Sequence, residues 1–239
     1  MDQIATNEKI TAGILLVNKP AGKTSFQLVA ALRKILEVKK IGHAGTLDPF
    51  ATGVMVMLIG REYTKLSDSL LTANKEYLAT VRLGASTDTY DLDGKITEES
   101  SLVPSLAEIE AAISCFQGEL EQIPPMYSAK KIQGQKLCDL ARKGKTVERK
   151  PCKVHLETAI LEYNYPNLSL KVKCSKGTYI RSIAYDLGNK LGCFGHLSAL
   201  ERIGSGQFPL NECMDGAILF NTEDKESLKA KVQQNLRIK

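Results

Sequence analysis

Apolar residues follow two periodicities along this chain, and the shorter one predicts strands. Residues 13–17 and 53–59 are nearly continuous apolar runs, typical of strands buried on both faces. Residues 76–83 alternate roughly between apolar and polar positions, as in a strand with one buried face. Two more runs, 154–163 and 168–174, flank the turn 165–168 and predict paired strands.

The longer periodicity predicts helices. Thr24 or Ser25 can cap a first helix, and Pro104 and Ser105 open a second that runs through Ala112. The apolar positions expected to be buried are Phe26, Val29, Leu32, Ile35 and Leu36 in the first helix and Leu106, Ile109 and Ile113 in the second. Further helices are predicted at 135–142, 178–191 and 225–239. Hairpin-joined strands with helices at irregular intervals favour an α+β fold.

The composition is that of an ordinary globular protein. The 239 residues are 43% hydrophobic and 25% charged, and the longest apolar runs, such as 53–60, are too short to cross a bilayer. Residues 1–9 contain no apolar segment of the kind a secretory leader needs. We therefore expect a cytoplasmic protein without membrane contact.

Charge is distributed unevenly. Residues 86–121 hold nine acidic residues and one basic residue, whereas residues 130–153 hold nine Lys or Arg and two acids. A basic segment of this kind suits the binding of phosphates, because each neutralised phosphate releases counterions. A solvated face without function is the alternative that charge alone leaves open.

Two familiar motifs are approached but not completed. The sequence Gly22-Lys23-Thr24 ends like a phosphate-binding loop, but Val17 occupies the position of its first glycine. The segment 88–94 resembles a calcium loop but has Ser100 where the bidentate glutamate belongs, so we expect a turn with aspartates capping backbone amides. The six cysteines form no C-x-x-C pair and are expected to be free thiols, with no metal site.

The most informative segment is the loop of residues 42–53. It contains three glycines, Pro49, His43 and Asp48, a composition that bends the backbone and presents few polar groups. An aspartate before proline is usually a turn former, and an isolated histidine is usually structural. On these residues alone, a structural role and a functional role both stay open for Asp48 and for His43.

The same loop resembles the catalytic loop of the TruB family of tRNA pseudouridine synthases, whose pattern is G-H-x-G-x-L-D-P-x-A-x-G. Every fixed position is met. Further matches keep the family's order and spacing at 15–20, 75–77, 82–84, 87–89, 122–129 and 174–181, so the resemblance covers residues 12–208. It implies a pseudouridine synthase fold: a central mixed, mainly antiparallel sheet flanked by helices.

The resemblance implies a role for each matching residue. Asp48 is the nucleophile, which attacks either C6 of the uracil or C1′ of the ribose, and the sequence leaves both routes open. Arg181 matches the arginine that pairs with the nucleophile and keeps it ionised. Tyr77 matches the tyrosine that stacks on the target base and can assist proton removal from C5. Tyr179 and Leu200 line the base pocket, or alternatively pack in the core. Lys19 shapes the catalytic loop.

The resemblance also implies the substrate and its handling. His43 occupies the space that the flipped uridine leaves in the T loop. The segment 124–152 is a mobile, thumb-like insertion that grips phosphates of the T arm. Its expected phosphate contacts are Lys130, Lys131, Lys136, Arg142 and Lys143. The implied reaction is isomerisation of uridine 55 of tRNA, by a monomer without cofactor or metal.

The expected domains are a catalytic domain at 12–210 and a short C-terminal tail at 211–239, in place of the PUA-type RNA-binding domain of many bacterial relatives. Two other functions remain to be separated from this one. The first is a non-catalytic tRNA-binding or folding protein. The second is a metal-dependent phosphohydrolase that uses Asp48 or the aspartates of 88–93.

Overall fold

The computed structural model describes residues 12–220 and 225–237. The expectation about residues 1–9 therefore lies outside the described part of the chain. The chain divides into two compact units, Met1–Ala73 with Ile203–Lys239, and Asn74–Arg202.

The first unit is built on β1, a strand buried along nearly its whole length. β1 pairs antiparallel with β3 on one side and parallel with β14 on the other, and β2 pairs antiparallel with β3. Within its described residues, the strands are β1 (Gly13–Lys19), β2 (Ile41–His43), β3 (Thr52–Ile59), β13 (Phe208–Pro209) and β14 (Met214–Asp215). Its helices are α1 (Ser25–Leu36), α2 (Arg61–Thr64), α3 (Ser67–Leu71) and α7 (Lys225–Gln234). One face of β1 and β3 packs a core of Ile14, Leu16, Val54, Val56, Leu58 and Phe208.

The second unit is built on antiparallel strands. β4, β11, β10 and β7 pair in that order, and β12 lies on the other side of β4. The strands are β4 (Lys75–Leu83), β5 (Ala85–Thr87), β6 (Ile96–Glu99), β7 (Gly118–Gln122), β8 (Lys131–Ile132), β9 (Gln135–Lys136), β10 (Cys152–Asn164), β11 (Asn167–Cys174) and β12 (Gly195–Ser205), whose last three residues belong to the first unit. The helices are α4 (Leu106–Ile113), α5 (Leu137–Ala141) and α6 (Ile180–Lys190). The mixed, mainly antiparallel sheet with flanking helices confirms the predicted α+β class.

Both predicted helix starts are confirmed, each by a reciprocal cap. The Thr24 side chain accepts from the Gln27 N–H while Gln27 reaches back to the Thr24 N–H, and Ser105 and Glu108 do the same for α4. The predicted burial of Phe26 is wrong, since 67% of it is exposed and the core face of α1 is set by Leu28 and Leu32.

Three further expectations need correction. Leu106 is 47% exposed, and the buried residues of α4 are Ile109, Ala112 and Ile113. The helix predicted at 135–142 is shortened to α5, since Gln135 and Lys136 form β9. The helix predicted at 225–239 ends at Gln234. Arg237 instead exchanges two backbone hydrogen bonds with Ile14 at the edge of β1.

Candidate active site

The aspartate loop, residues 42–53, comprises the end of β2, the connection 44–51 and the start of β3, and its backbone is held by hydrogen bonds at both ends. The Ala44 N–H donates to the Val56 carbonyl at 2.9 Å, and the Gly53 N–H donates to Oδ1 of Asn18 at 3.1 Å. Leu47 and Ala51 are buried on either side of the half-buried Asp48. The nucleophile candidate thus lies on a loop whose neighbouring residues are held in the core.

Ser25, the first residue of α1, ties that helix to the residue before Asp48. The Leu47 N–H donates to Ser25 Oγ at 3.1 Å, and the same hydroxyl donates to the Leu47 carbonyl at 3.2 Å. Ser25 is buried. One side chain therefore satisfies both backbone groups of a buried loop residue, where an unpaired group would be costly.

Lys19 braces the other side of Asp48. This lysine is 0% exposed, and its Nζ donates to the carbonyls of Pro20 at 2.9 Å, Lys23 at 2.6 Å and Pro49 at 3.0 Å. The Gly22 N–H donates to the same Pro49 carbonyl. The ammonium thus joins the end of β1, the turn before α1 and the aspartate loop through charge-assisted hydrogen bonds.

His43 is the last residue of β2. It is half-buried and lies opposite Met57 of β3. Of the predicted site residues, the first unit therefore carries Lys19, His43 and Asp48, with Lys19 bonded to the residue next to Asp48.

In the second unit, Arg181 lies in the first turn of α6 and is 4% exposed. Its Nη1 donates to the Thr89 carbonyl at 2.9 Å and its Nη2 to the Tyr127 carbonyl at 2.8 Å. Nη1 also lies 3.3 Å from Oδ2 of Asp91, whose side chain is equally buried. The guanidinium is thus held in a fixed orientation by two carbonyls and a carboxylate.

Asp91 was not predicted as a site residue, although the turn that carries it was. Its Oδ1 accepts from the Thr89 hydroxyl at 2.6 Å and from the Asp93 N–H at 3.1 Å, and Asp88 Oδ1 accepts from the Lys95 N–H at 2.8 Å. These bonds confirm the predicted turn with aspartates capping backbone amides. They also leave Oδ2 of Asp91 directed at Arg181.

The predicted base-pocket residues lie on neighbouring elements of the second unit. Tyr77 on β4 and Leu200 on β12 are each 8% exposed, and the two strands are adjacent in the sheet. Tyr179 is the residue before α6, where its backbone exchanges two hydrogen bonds with the amide of Gln122. The start of α6, which carries Tyr179 and Arg181, is thus held to the end of β7.

Two buried cations accompany Tyr77. Lys75 precedes it by two residues on the same face of β4, and Arg202 of β12 is 1% exposed. Burial lowers the pKa of Lys75, and the Arg202 charge lowers it further. Cys174 of β11 lies opposite Lys75. Burial raises the pKa of its thiol to about 11, so this cysteine stays protonated and unreactive at neutral pH.

The predicted phosphate contacts belong to the segment 124–152. Lys131 and Lys136 face each other across the short β8–β9 hairpin, which concentrates positive charge, and Arg142 and Lys143 follow α5. All four are exposed. Lys130 is half-buried and differs from them, because its Nζ lies 2.7 Å from Sγ of Cys152.

No group of three or more His, Cys, Asp or Glu side chains with metal-binding geometry occurs within residues 12–220 and 225–237. All six cysteines are free. No helix in the described part of the chain is long and apolar enough to span a membrane.

Comparison with solved structures defines the class of protein. Over 96% of its length the chain matches a chain of a Cbf5-Nop10-Gar1 complex, with a TM-score of 0.71 and 26% sequence identity, and it covers 60% of that chain. An H/ACA ribonucleoprotein bound to a substrate RNA containing 2′-deoxyuridine matches with a TM-score of 0.63 and 27% identity. The fold is therefore that of the pseudouridine synthases.

Sequence comparison gives the family within this class. Residues 33–180 match the N-terminal domain of the TruB family pseudouridylate synthases, and residues 181–233 match the tRNA pseudouridylate synthase B C-terminal domain. The chain is 60% identical over 214 residues to tRNA pseudouridine synthase B of Protochlamydia amoebophila, covering 82% of that relative. It is 57% identical over 211 residues to the Chlamydia pneumoniae enzyme of the same name, covering 90% of it. This chain belongs to the TruB family.

Proposed function

We propose that this chain is a tRNA pseudouridine synthase that isomerises the uridine at position 55 in the T loop. The observation that carries the proposal is the 60% identity to a relative named tRNA pseudouridine synthase B. The aspartate loop adds chemical support, because it holds a half-buried carboxylate between backbone segments that Ser25 and Lys19 fix.

The reaction breaks the bond between C1′ and N1 of the uridine, rotates the uracil and forms a bond between C1′ and C5. The C5 proton leaves, N1 gains a proton, and no electrons are exchanged with a cofactor. In our proposal the Asp48 carboxylate bonds covalently to C6 or to C1′ and is released when the glycosidic carbon has been rejoined. The rigid backbone around Asp48 presents the oxygen without a reorganisation cost.

Arg181 supplies the cation that the family places against the nucleophile. A guanidinium held by two carbonyls and Asp91 cannot rotate freely, so it acts as a preorganised charge. Tyr77 stacks on the uracil and accepts the proton from C5, directly or through water. Tyr179 and Leu200 form further walls of the base pocket.

The target uridine must leave its stack before a side chain can reach it, so we propose that the enzyme flips it out of the T loop. His43 fills the vacated space. Lys130, Lys131, Lys136, Arg142 and Lys143 contact phosphates of the T arm, which positions the RNA without reading its bases. We propose that the segment 124–152 orders on the RNA, and that the protein acts as a monomer in the cytoplasm without metal or cofactor.

A tRNA transcript carrying tritium at uridine C5 tests this proposal, because the label is lost only when C5 becomes bonded to C1′. We expect one equivalent of label per tRNA, mapped to position 55 by sequencing, and the same yield in the presence of chelator. Binding without release would identify a non-catalytic tRNA-binding protein. Release of inorganic phosphate that chelator abolishes would identify a metal-dependent hydrolase.

A further inference from the structure

Tyr90 lies between Thr89 and Asp91, two of the three residues that orient Arg181, and its backbone conformation needs support. Its φ is +65°, in the left-handed region that a bulky side chain rarely adopts. The Tyr90 N–H donates to the Thr87 carbonyl at 3.1 Å, and its carbonyl accepts from the Leu197 N–H at 3.0 Å. Such a conformation persists only where the surroundings enforce it.

The Tyr90 side chain is held by an aromatic stack on α6. Its ring lies on that of Tyr185, with centroids 3.9 Å apart and planes inclined by 18°. Tyr185 follows Arg181 by one helical turn, and residues four apart share a helix face. Arg181 and Tyr185 therefore hold three consecutive residues, because Arg181 contacts Thr89 and Asp91 while Tyr185 covers Tyr90.

Arg149 joins the two ends of the segment 124–152. It lies near the end of the segment, and its Nη1 donates to the carbonyl of Pro124, at the start, at 3.1 Å. Burial and the neighbouring Tyr185 raise the pKa of Tyr90, and the charge and hydrogen bond of Arg149 oppose that rise.

A second connection begins at the start of the segment 124–152. The Tyr127 carbonyl accepts from Nη2 of Arg181. Arg149 is therefore hydrogen-bonded to Pro124, three residues before Tyr127, whose carbonyl holds Arg181.

We propose that Arg149, Tyr90 and Tyr185 are positioning residues, through which the segment 124–152 sets the orientation of Arg181 for the isomerisation. The inference rests on the proposed function. None of the three side chains needs to touch the uridine. Binding of phosphates to the exposed lysines of the segment fixes its two ends, and Arg149 and the Tyr127 carbonyl transmit that order to the guanidinium.

Single-turnover tritium release and tRNA binding, measured separately, test the proposal. We expect Tyr185→Ala and Arg149→Met to lower the rate at saturating tRNA by about ten- to a hundredfold, the range that a small misplacement of a catalytic group produces. The Kd for tRNA should change by less than about threefold, because neither side chain is assigned to phosphate contact. Tyr185→Phe, which keeps the stack, should restore the rate.

The two substitutions should also be coupled. If Arg149 and Tyr185 both act through the orientation of Arg181, the rate loss of the double variant is smaller than the product of the two single losses. Tyr163→Ala is the matched control, because it removes a half-buried tyrosine of the same unit whose hydroxyl donates to the Pro104 carbonyl, away from the Arg181 turn. It should lower the melting temperature and leave the saturating rate unchanged.

Wild-type release of label tests the proposed function independently of these variants. Unchanged saturating rates in both Tyr185→Ala and Arg149→Met would overturn the inference, as would losses confined to Kd. Should Tyr185→Ala fail to fold, Arg149→Met decides the matter, since Arg149 is only half-buried.

Discussion

Replacement of Lys19 by Met tests how strongly the aspartate loop depends on one buried ammonium. Methionine keeps the length and the apolar stem of the side chain but removes the donor to the carbonyls of Pro20, Lys23 and Pro49. A hydrogen bond from a charged group contributes roughly 1.5–3 kcal/mol, so the sum of three such bonds is an upper limit for the loss in free energy of unfolding. Because the substitution also removes the desolvation cost of a fully buried charge, we expect a net loss of about 3 kcal/mol.

Urea unfolding of the free protein measures this loss, with an unchanged m-value as the sign that only stability has changed. The matched control is Lys23→Met. The Lys23 Nζ lies over the Phe220 ring, 4.7 Å from its centroid, and contributes a cation–π contact of about 0.5–1 kcal/mol. The Lys23 carbonyl, which Lys19 uses, is retained in this control.

The folded Lys19→Met variant should also isomerise tRNA more slowly, by about a hundredfold at saturation, because Pro49 loses its restraint beside Asp48. If Lys19→Met unfolds within about 0.5 kcal/mol of the wild type and releases label at the wild-type rate, the bracing role of Lys19 is refuted.

Three further predictions concern single side chains. Ser25→Ala should lower the free energy of unfolding by about 1–3 kcal/mol and slow turnover, because it removes both hydrogen bonds from the residue before the nucleophile. The adjacent Thr24→Ala should cost about 1 kcal/mol of helix capping and leave turnover unchanged. Urea unfolding and label release distinguish the two variants. Asp91→Asn should cost about 3 kcal/mol and lower the saturating rate without changing tRNA binding, since it breaks a buried pair with Arg181. The pKa of Cys174 is raised to about 11 in the fold, so above pH 9 the thiol of the unfolded chain loses its proton first and stability falls with rising pH. The free energy of unfolding of Cys174→Ala should therefore decline less steeply than that of the wild type between pH 9 and 11. An equal decline in both proteins would contradict this assignment.

Local signals explain why some elements were predictable. The capping residues Thr24 and Ser105 are recognisable because each stands three residues before Gln or Glu. The hydroxyl then accepts from one backbone N–H, and the Gln or Glu side chain accepts from the N–H of the capping residue. The strand β4 was predictable because its burial alternates residue by residue from Lys75 to Leu83. In both cases the decisive contacts lie within a few residues of each other.

Other elements were missed because their partners are distant in the sequence. The strand β12 contains His196 and Arg202, and both are buried, so its pattern of apolar residues does not alternate as a strand should. The predicted face of α1 is buried at Val29, Leu32 and Leu36. Phe26 was misassigned because Ser25, and not Phe26, contacts the aspartate loop at the start of the helix.

The same limit applied to the candidate site. Family resemblance assigned roles to Asp48, Tyr77 and Arg181, but nothing in the local sequence indicates that a carboxylate ninety residues before Arg181 orients it. The repeated aspartates of 88–93 were a visible signal, but they were interpreted as a turn or as part of a hydrolase site, and not as a partner of Arg181. The turn and the ion pair use different oxygens of the same side chain, so one interpretation did not exclude the other.

The central claim is that the Asp48 carboxylate performs the isomerisation, and Asp48→Asn tests it most directly. Label release from C5-tritiated tRNA should fall below detection in a single turnover, while filter binding gives the wild-type Kd. Asp68→Asn, which changes an exposed aspartate of α3 in the same unit as Asp48, should release label at the wild-type rate. Release of label by Asp48→Asn at a rate close to that of the wild type would contradict the account.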